Sequence, residues 1–431
     1  MADPKPFNKV LLYILILLMI GTGSINTIFN KILQKLKGKG ILFEQHHWII
    51  TFGMFCGELV SIFFYIYILI KKKNSKKGEI LVEGQQQTEE ENQETKESEK
   101  KDKEEKPPVP TNLIFAITAS CDLAGTTINT FGLTYLTTSM FQMMRGLELF
   151  FVCFWSTVYL KNPLYRHAVL GIGSLIFGLS LVGLNAILND KGETARNPPV
   201  GIVLLCISQL FSSTEYVIQE KFIKHYDVHP FQLVGFEGLW GVIMYTTLLV
   251  IFQFVDCQSW SEALKEICFE DDEHNIVIED SIFAFKQMWD NKNLLIVYIF
   301  YVVSIALYNI VGINLTKLVS STARAVVDTV RTVFIWLFFL FFTPVEGTEE
   351  HFHLLQLIGF IFVVLGTLIY NEIISIPLLN LDYYTRDNIA KREKEKNKDK
   401  VDDDKDEHKN KLYVSQSDSQ DQQDQQDQQP E

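Results

Sequence analysis

The segment STARAVVDTVRTVFIWLFFLFF, residues 321–342, ends in ten residues apolar enough for a lipid bilayer, yet it carries three charges before them. Arg324, Asp328 and Arg331 follow the spacing i, i+4 and i+7, which places them on one stripe of a helix. Three charges near the bilayer centre cost about 9 kcal/mol, at about 3 each, whereas the apolar residues return only about 5. The segment therefore predicts a membrane helix whose charged stripe faces a water-filled cavity.

The whole chain has the composition of an integral membrane protein with polar tails. Of its 431 residues, 47% are hydrophobic and 21% are charged, and Phe alone occurs 32 times. The net charge of −13 comes mostly from acidic residues in segments 79–105, 262–280 and 387–431. We expect these segments to be solvated and largely disordered, because such compositions cannot bury a core.

Ten apolar runs are long enough to cross a hydrocarbon layer of ~30 Å, which takes ~20 helical residues. The first run also resembles a secretory signal peptide, but it continues through INTIF, which favours an uncleaved span. The sequence therefore predicts an all-α membrane protein with ten transmembrane helices. Their approximate bounds are 8–30, 46–70, 112–133, 138–160, 165–188, 200–222, 231–256, 291–316, 321–343 and 352–372.

Lysine and arginine are concentrated on one side of the predicted membrane, which is typical of the cytoplasmic side. The run KKKNSKK at 71–77 directly follows the second span, and we interpret it as a cytoplasmic anchor and not as a nucleic-acid patch. Both termini are then cytoplasmic, and no nucleic-acid partner is expected. Lys31, Lys35, Lys37 and Lys39 conflict with this orientation, because they fall on the opposite side.

The first half of the chain matches the second at a shift of about 187 residues, which superposes spans one to five on spans six to ten. Gly171 and Gly178 in span five correspond to Gly359 and Gly366 in span ten. Because five spans per unit is an odd number, the two units enter the membrane from opposite faces, as inverted repeats do in many secondary transporters. The predicted parts are a first repeat at 1–188 with a cytoplasmic insertion at 71–111, a second repeat at 200–376 with a non-cytoplasmic loop at 257–290, and a disordered, Gln-rich cytoplasmic tail at 377–431.

Span four carries another intramembrane arginine, in TTSMFQMMRGLELFF. Gln142 and Arg145 project within ~60° of each other at 100° per residue, and Glu148 lies one turn further on. In one interpretation each arginine is neutralised by a carboxylate of its own helix. In the other, which we favour, the arginines hold an anionic substrate, because a guanidinium binds phosphate or carboxylate through two parallel hydrogen bonds. The predicted substrate-binding residues are Arg145, Arg324 and Arg331, oriented by Gln142 and Asp328.

Four further acidic residues lie in predicted spans, where a charge is expensive and usually functional. Each is a candidate for proton coupling or for pairing with an arginine, and the sequence alone does not pair them. These residues are Glu58, Asp122, Glu215 and Glu237.

The cysteines and histidines form no CxxC pair, Cys/His cluster or HExxH motif, so neither a metal nor a cofactor is expected. Cys257 and Cys268 share the predicted non-cytoplasmic loop, where an oxidising compartment would favour a disulfide. The intervening QSWSEALKEI is interpreted as a short amphipathic helix, and a continuous helix would hold the two cysteines about 16 Å apart. That is too far for a bridge. The sequence leaves both alternatives open.

The segments GTGSINT, GMFCGE, CDLAGTT, SMFQMMRG, EKFIKHYDVHPFQLVGFEGLWG and STARAVVDTVRTVFIW resemble those of the F subfamily of solute carrier family 35, within the drug/metabolite transporter superfamily. The resemblance covers nearly all of residues 8–376 except the 71–111 insertion. It implies two inverted five-helix bundles around a cavity lined mainly by spans one, three, four, six, eight and nine. It also implies nucleotide sugars or other organic anions as cargo, and an endomembrane location.

These observations together predict a secondary transporter, not an enzyme, that moves a small organic anion across an endomembrane by alternating access. The lysosome, the Golgi and the mitochondrion all remain open as its compartment, since the tail lacks an evident acidic dileucine signal. The expected partners are the anionic substrate and the lipid bilayer, and a homodimer is left open. The alternatives are a non-transporting membrane scaffold and a drug- or cation-type metabolite exporter.

Overall fold

The computed structural model describes residues 9–83, 111–136, 141, 144–161, 165–189, 198–226, 228–259, 268–270, 276–342 and 353–370, with a few single residues beyond them. The chain divides into a larger unit, residues 1–163 with 172–367, and a smaller unit, residues 164–171 with 368–431. In the smaller unit the guanidinium of Arg392 lies 3.7 Å from the ring centre of Tyr383. Most of the predicted tail at 377–431 lies outside the described residues.

The described chain is almost entirely helical, with two short antiparallel strand pairs and two 3₁₀ turns at Phe43–Gln45 and Asn112–Ile114. The strands are β1 (Lys37–Gly38) paired with β2 (Ile41–Leu42), and β3 (Phe269–Glu270) paired with β4 (Ile276–Val277). The helices are α1 (Lys9–Lys35), α2 (His47–Leu59), α3 (Ser61–Glu83), α4 (Phe115–Tyr135), α5 (Leu147–Val158), α6 (Arg166–Asn189), α7 (Pro198–Tyr226), α8 (Pro230–Phe252), α9 (Ser281–Asp290), α10 (Lys292–Leu318), α11 (Ser321–Phe341) and α12 (Leu354–Tyr370).

Six stretches of the described helices are long and apolar enough to cross a membrane. They belong to α1, the consecutive pair α2 and α3, α6, α7, α8 and α10, while α5 and α12 are apolar but shorter. α11 is not among them, because three charged side chains fall within its length. The protein is therefore an all-α, multi-pass integral membrane protein.

Two predicted spans differ from the structure in continuity. The span predicted at 46–70 is divided at Val60, whose backbone N–H bonds to the carbonyl of Gly57 at 3.3 Å, three residues back instead of four. α8 packs directly on this break, since a side chain at Gly235 would begin 2.8 Å from the backbone nitrogen of Ile62. α3 then continues to Glu83, so part of the insertion predicted at 71–111 is helical.

The span predicted at 138–160 is also not one continuous helix. α5 begins only at Leu147, and Arg145 and Gly146 form a turn before it. The backbone N–H of Arg145 bonds to the carbonyl of Phe141 at 3.2 Å, and its carbonyl accepts from Glu148 at 3.0 Å. Arg145 therefore lies in a turn between helical residues, whereas the sequence predicted one continuous helix there.

The helices pack through small residues and aromatic rings. α1 contacts α10 through stacked rings of Phe29 and Phe300, whose centres are 5.4 Å apart. α6 contacts α12 through the backbones of Gly178 and Gly359, where a side chain on either glycine would begin 2.5–2.7 Å from the other's carbonyl oxygen. The latter pair belongs to the repeating glycines that the sequence singled out.

A compact cap joins the segment after α1 to the segment before α10. We use the word cap for the β1–β2 hairpin with its 3₁₀ turn, residues 253–259, 268–270 and 276–280, and α9. Its disulfide links Cys257 to Cys268, with the Cα atoms 6.6 Å apart. The bridge that the sequence left open is thus formed, whereas the helix predicted between the two cysteines lies mostly outside the described residues.

His46 directly follows the 3₁₀ turn and is counted with the cap, and it contacts Glu279 in the segment before α9. His46 Nδ1 lies 2.5 Å from Glu279 Oε1, and both side chains are fully buried. The His46 ring packs among the rings of Phe43, Phe269 and Phe283, with centres 4.5–6.2 Å away. Burial raises the pKa of Glu279 above its usual range, against the opposing effect of the His46 contact.

Candidate functional site

A cavity of about 110 Å³ lies within the larger unit, among the apolar helices. Its lining comes from α1, α4, the turn before α5, α5, α7, α10 and α11, with Met54 from α2. These are the six spans that the family resemblance implies. Its ionisable lining residues other than tyrosine are Lys31, Asp122, Arg145, Glu148, Glu215, Arg324 and Arg331.

α11 presents its charged stripe to this cavity because its start is fixed from both sides. Ser320 caps the helix, with its hydroxyl oxygen accepting from the backbone N–H of Ala323 at 3.1 Å. Glu220 on α7 accepts from the backbone N–H of Ser321 at 2.8 Å. α7 and α11 are thereby joined at the start of the stripe, and the three charged residues of α11 are all buried.

Arg331 lines the cavity, and only 2% of its side chain is exposed to solvent. Its Nη1 lies 3.4 Å from Asp328 Oδ1, and its guanidinium lies 4.7 Å from the ring centre of Tyr308. Nε and Nη2, which form the other edge of the guanidinium, are buried without a hydrogen-bond partner. That edge is the one that can bind a carboxylate or phosphate through two parallel bonds.

Glycine on α1 leaves the space for this guanidinium. A side chain at Gly23 would begin 2.6 Å from Arg331 Cδ and 2.9 Å from Tyr308 Cδ2. Asp328 accepts from Tyr308 Oη at 2.5 Å and from Tyr216 Oη at 3.0 Å. Two hydroxyl donors and one arginine therefore hold the Asp328 carboxylate in place.

Arg324 lies on the same stripe but has different partners. Its Nη1 donates to Gln219 Oε1 at 2.9 Å, and its guanidinium lies 3.8 Å from the ring centre of Tyr216. A side chain at Gly312 would begin 2.7 Å from Arg324 Nε. Among the described residues Arg324 has no ion pair within 4 Å, so Asp328 neutralises Arg331, and the stripe retains one positive charge as the sequence predicted.

Arg145 and Glu148 line the same cavity as Arg324 and Arg331. Glu148 interacts electrostatically with Arg145 and with both arginines of α11. The structure thus brings together the arginines of the two regions that correspond in the predicted repeat. Gln142, the remaining predicted substrate-binding residue, lies outside the described residues.

The four predicted intramembrane acids form a second cluster beside Arg324. Gln219 Nε2 donates to Glu215 at 2.6 Å and to Glu237 at 2.9 Å, while Asn309 donates to Glu58. Electrostatic interactions connect Glu58 with Asp122 and Glu237. The second carboxylate oxygen of Glu58 is buried without a hydrogen-bond partner. The side chain of Gln219 connects this cluster to Arg324, since its amide nitrogen faces the acids and its oxygen faces the guanidinium.

Sequence reasoning did not identify Tyr216, Tyr308, Gln219 or Asn309, although all four contact the charged residues. A tyrosine or amide within an apolar helix is common, and no spacing distinguishes these four from others. Asn309 offers one signal, because it lies 187 residues after Asp122 and both line the cavity.

A charged, enclosed cavity within a bundle of apolar helices defines a membrane transport protein, because ionisable side chains in a membrane line solute pathways. Comparisons with known proteins agree. The model of the CRT-like family, chloroquine-resistance transporter-like proteins, matches residues 96–370. Proteins of Rattus norvegicus and Homo sapiens named solute carrier family 35 member F6 are 31% and 30% identical over 362 residues, which is 82% of this chain and 87% of each relative.

An uncharacterised protein of Schizosaccharomyces pombe is also 30% identical over 272 residues, covering 63% of this chain and 78% of its own length. This chain therefore belongs to the CRT-like family of transporters. The family match and the similar solute carriers support the transporter class that the cavity indicates.

Proposed function

We propose that this protein is a secondary transporter that carries a small organic anion across an endomembrane by alternating access. The observation that carries the proposal is the free edge of Arg331, a residue that lines the cavity and whose Nε and Nη2 are buried without a hydrogen-bond partner. Leaving buried donors of a charged group unsatisfied is expensive. A bound carboxylate or phosphate would satisfy both donors at once.

Arg145 and Arg324 contribute further positive charge, while Asp328 and Gln142 orient the arginines in this proposal. Asp328 performs this for Arg331 by direct contact. Arg324 has one nitrogen, Nη1, already donating to Gln219, and only its Nε is buried without a hydrogen-bond partner, whereas Arg331 has both Nε and Nη2 in that state. We therefore assign first contact with the substrate to Arg331 and Arg145.

The size of the cavity limits the substrate in this conformation. Its volume of about 110 Å³ is below the ~300–1,000 Å³ of typical ligand pockets. A small carboxylate or phosphate fits such a space better than a nucleotide sugar, which would require the helices to move apart. A nucleotide sugar stays a candidate only for a wider conformation of the alternating-access cycle.

We further propose ten membrane crossings in two inverted repeats. At the shift of about 187 residues, α1 corresponds to α7, α2–α3 to α8, α4 to α10, α5 to α11 and α6 to α12. Helix contacts occur in corresponding pairs: α1–α10 with α7–α4, α5–α7 with α11–α1, and α8–α4 with α2–α10. The contacts α2–α8, α5–α11 and α6–α12 join each helix to its own counterpart. A pseudo-two-fold axis would produce this pattern, because it maps each contact onto another or onto itself.

The acidic cluster is our candidate for proton coupling. Four carboxyl groups beside one guanidinium cannot all be ionised cheaply in a buried site, so the cluster is suited to exchanging protons. Gln219 bridges it to Arg324, which lies on the same helix as Arg331. Proton loss among Glu58, Asp122, Glu215 and Glu237 would then change the field at the anion site.

The same acids favour one alternative, a drug- or cation-type exporter, because Asp122 and Glu215 line the cavity together with the arginines. A non-transporting scaffold is the other alternative, and it has no use for an unpartnered arginine edge beside a cavity. The charge of the transported solute therefore separates the three functions.

Uptake by purified protein in sealed vesicles tests the proposal. Vesicles with the protein should accumulate a labelled small carboxylate or phosphate ester more than protein-free vesicles, and an inward proton gradient should increase accumulation. Uptake of organic cations alone would favour the exporter, and no uptake of either class would favour the scaffold. Glu58→Gln should abolish gradient-driven accumulation but retain anion exchange if the cluster carries the coupling proton.

Orientation and compartment belong to the same proposal. We place both termini and segment 71–111 in the cytoplasm, the loop at 257–290 on the opposite side, and the protein in the lysosomal, Golgi or mitochondrial membrane. An epitope tag inserted at residue 90 should be digested by protease added outside intact organelles. Protection of that tag would reverse the orientation.

A further inference from the structure

One face of α9 is apolar and exposed, although this helix lies outside the membrane-spanning segments. Ile282, Phe285 and Trp289 are exposed to 60%, 51% and 84%, and their spacing of i, i+3 and i+7 puts them on one stripe. The opposite face is buried through Ala284, Gln287 and Met288. A helix of ten residues with this division is amphipathic, and among the described residues no element covers its apolar face.

The position of α9 along the chain puts it at the membrane boundary. A single residue separates the end of α9 from α10, a membrane-spanning helix that begins at Lys292. That residue, Asn291, has an extended backbone, and its side chain caps α10 by accepting from Asn293 N at 3.0 Å. The extended residue breaks the helical path, so α9 does not simply lengthen α10 into the solvent.

The β1–β2 hairpin fixes α9 from its buried side. Asn291 Nδ2 donates to the carbonyl of Lys37 at 2.8 Å, and a side chain at Gly38 would begin 2.8 Å from Gln287 Cβ. This hairpin connects α1 to the 3₁₀ turn before α2, both of which belong to membrane-spanning stretches. α9 therefore packs against a hairpin that directly joins two membrane-spanning stretches.

Two lysines flank the apolar stripe. The hairpin turns at Lys39 and Gly40, whose φ angles of +50° and +88° are those of a two-residue type I′ turn. This turn presents Lys39 beside α9, where it lines a groove with Lys286, the three apolar residues and Asp290. The groove thus combines an apolar floor with a net positive charge.

We propose that α9 lies in the headgroup layer of the bilayer and that Lys39 and Lys286 bind the phosphate of an anionic phospholipid. Tryptophan, lysine and an apolar stripe are the side chains that anchor interfacial helices. In the orientation we propose, Lys39 lies on the non-cytoplasmic side, where few lysines are expected. Contact with a lipid phosphate would explain a lysine at that position. A protein partner is less suitable, because three side chains fall short of the ~800 Å² that each partner buries in a standard interface.

Tryptophan fluorescence of the full-length protein in vesicles tests the depth of the helix. The signal of Trp289 is obtained by subtracting the spectrum of Trp289→Phe from that of the wild type. We expect lipids brominated near the headgroup to quench this difference signal, and aqueous iodide to leave it largely unquenched. Efficient quenching by iodide, without quenching by brominated lipid, would overturn the proposal.

Lipid retention tests the phosphate contact. Purified protein in detergent is titrated with phosphatidylserine or phosphatidylcholine, and bound lipid is counted by native mass spectrometry. Lys39→Gln with Lys286→Gln should weaken phosphatidylserine binding about 25-fold, about fivefold for each lysine, and leave phosphatidylcholine binding unchanged. The control, Lys161→Gln with Lys391→Gln, neutralises two exposed lysines that belong neither to the groove nor to the lysine run at 71–77, and it should change binding little.

Three results would contradict this assignment. Equal loss in the control pair would show a general charge effect, and displacement of the lipid by inorganic phosphate alone would show a phosphate site instead of a lipid site. A dimer that dissociates on Trp289→Asp would indicate that a second copy covers the face. None of these outcomes bears on substrate uptake, so the transport proposal is tested separately.

Discussion

Arg331 in the cavity and His46 in the cap are both buried beside a carboxylate, and both keep side-chain nitrogens without a hydrogen-bond partner. Their surroundings differ. Arg331 lines a cavity, whereas the His46 ring is enclosed by aromatic rings, among them Phe43 and Phe269.

This difference separates a site from a support. An unsatisfied buried donor costs free energy wherever it occurs, but a ligand can repay that cost only where there is room for one. Substitution of Arg331 should therefore affect transport more than folding, and substitution of His46 should affect folding more than transport. The experiments below would break or sharpen that distinction.

The largest effect is expected at Arg331. Both Arg331→Ala and Arg331→Lys should reduce anion uptake in sealed vesicles about 100-fold, because loss of a buried charged partner costs about 2–5 kcal/mol. Lysine keeps the charge but lacks the planar pair of donors. Abundance and gel-filtration profile serve as controls for folding. Normal uptake by a well-expressed variant would remove Arg331 from the site, and loss of folding would favour a purely structural pair with Asp328.

In the cap, His46→Ala should lower the free energy of unfolding by about 3–5 kcal/mol, because it leaves a cavity among aromatic rings and leaves Glu279 without its hydrogen-bond partner. Thermal unfolding of the purified protein measures this change. His353→Ala, at the start of α12 and outside the cap, is the control. We expect uptake per folded molecule to be retained, and its selective loss in a stable variant would assign the cap to the transport site.

The disulfide should contribute less to the free energy of unfolding than the His46 side chain does. Cys257→Ser should lower the free energy of unfolding by about 2–3 kcal/mol, the value for closing a short loop in the chain-entropy model. Cys206→Ser removes a free cysteine on α7 and should have a much smaller effect. Maleimide labelling of Cys257 and Cys268 in intact, non-reduced organelles would show that the bridge is absent in the cell.

The smallest effect is a dependence of cap stability on pH. Because burial raises the pKa of Glu279 above its usual 4.5, the folded cap binds this proton more tightly than the unfolded chain. The stabilisation is complete below pH 4.5 and is lost as pH rises through the raised pKa. The groups that face Glu279 are His46 and Asp280. Melting temperature should therefore fall as pH rises above about 4.5 in the wild type, and less in Glu279→Gln. Equal slopes in the two proteins would contradict the prediction.

The sequence was sufficient to predict that the charged stripe of α11 faces away from lipid, because three charges are too costly to expose to the bilayer. All three residues are buried, as their spacing predicts. Arg324 and Arg331 line the cavity, and Asp328 contacts Arg331. The glycine pattern of spans five and ten was also informative, since Gly178 and Gly359 contact each other.

The partners of that stripe could not be predicted. Gln219 lies 105 residues from Arg324, and Tyr216 lies 112 residues from Asp328, so no local spacing connects them. The start of α5 at Leu147 was also missed, because TTSMFQMMRG is apolar enough to continue a helix in either direction. Hydropathy reports how much of a segment suits lipid, and it does not report where the backbone turns.

Gly178 and Gly359 touch through their backbones, and each occupies the place where the side chain of the other would begin. Most packed pairs can drift over generations by exchanging volume, one residue growing as its neighbour shrinks. Neither glycine has volume to give, so no second substitution at the opposite position can compensate for a first. Any lineage that replaces one of them must first separate α6 from α12 through changes elsewhere, and we expect these two positions to be among the last to vary.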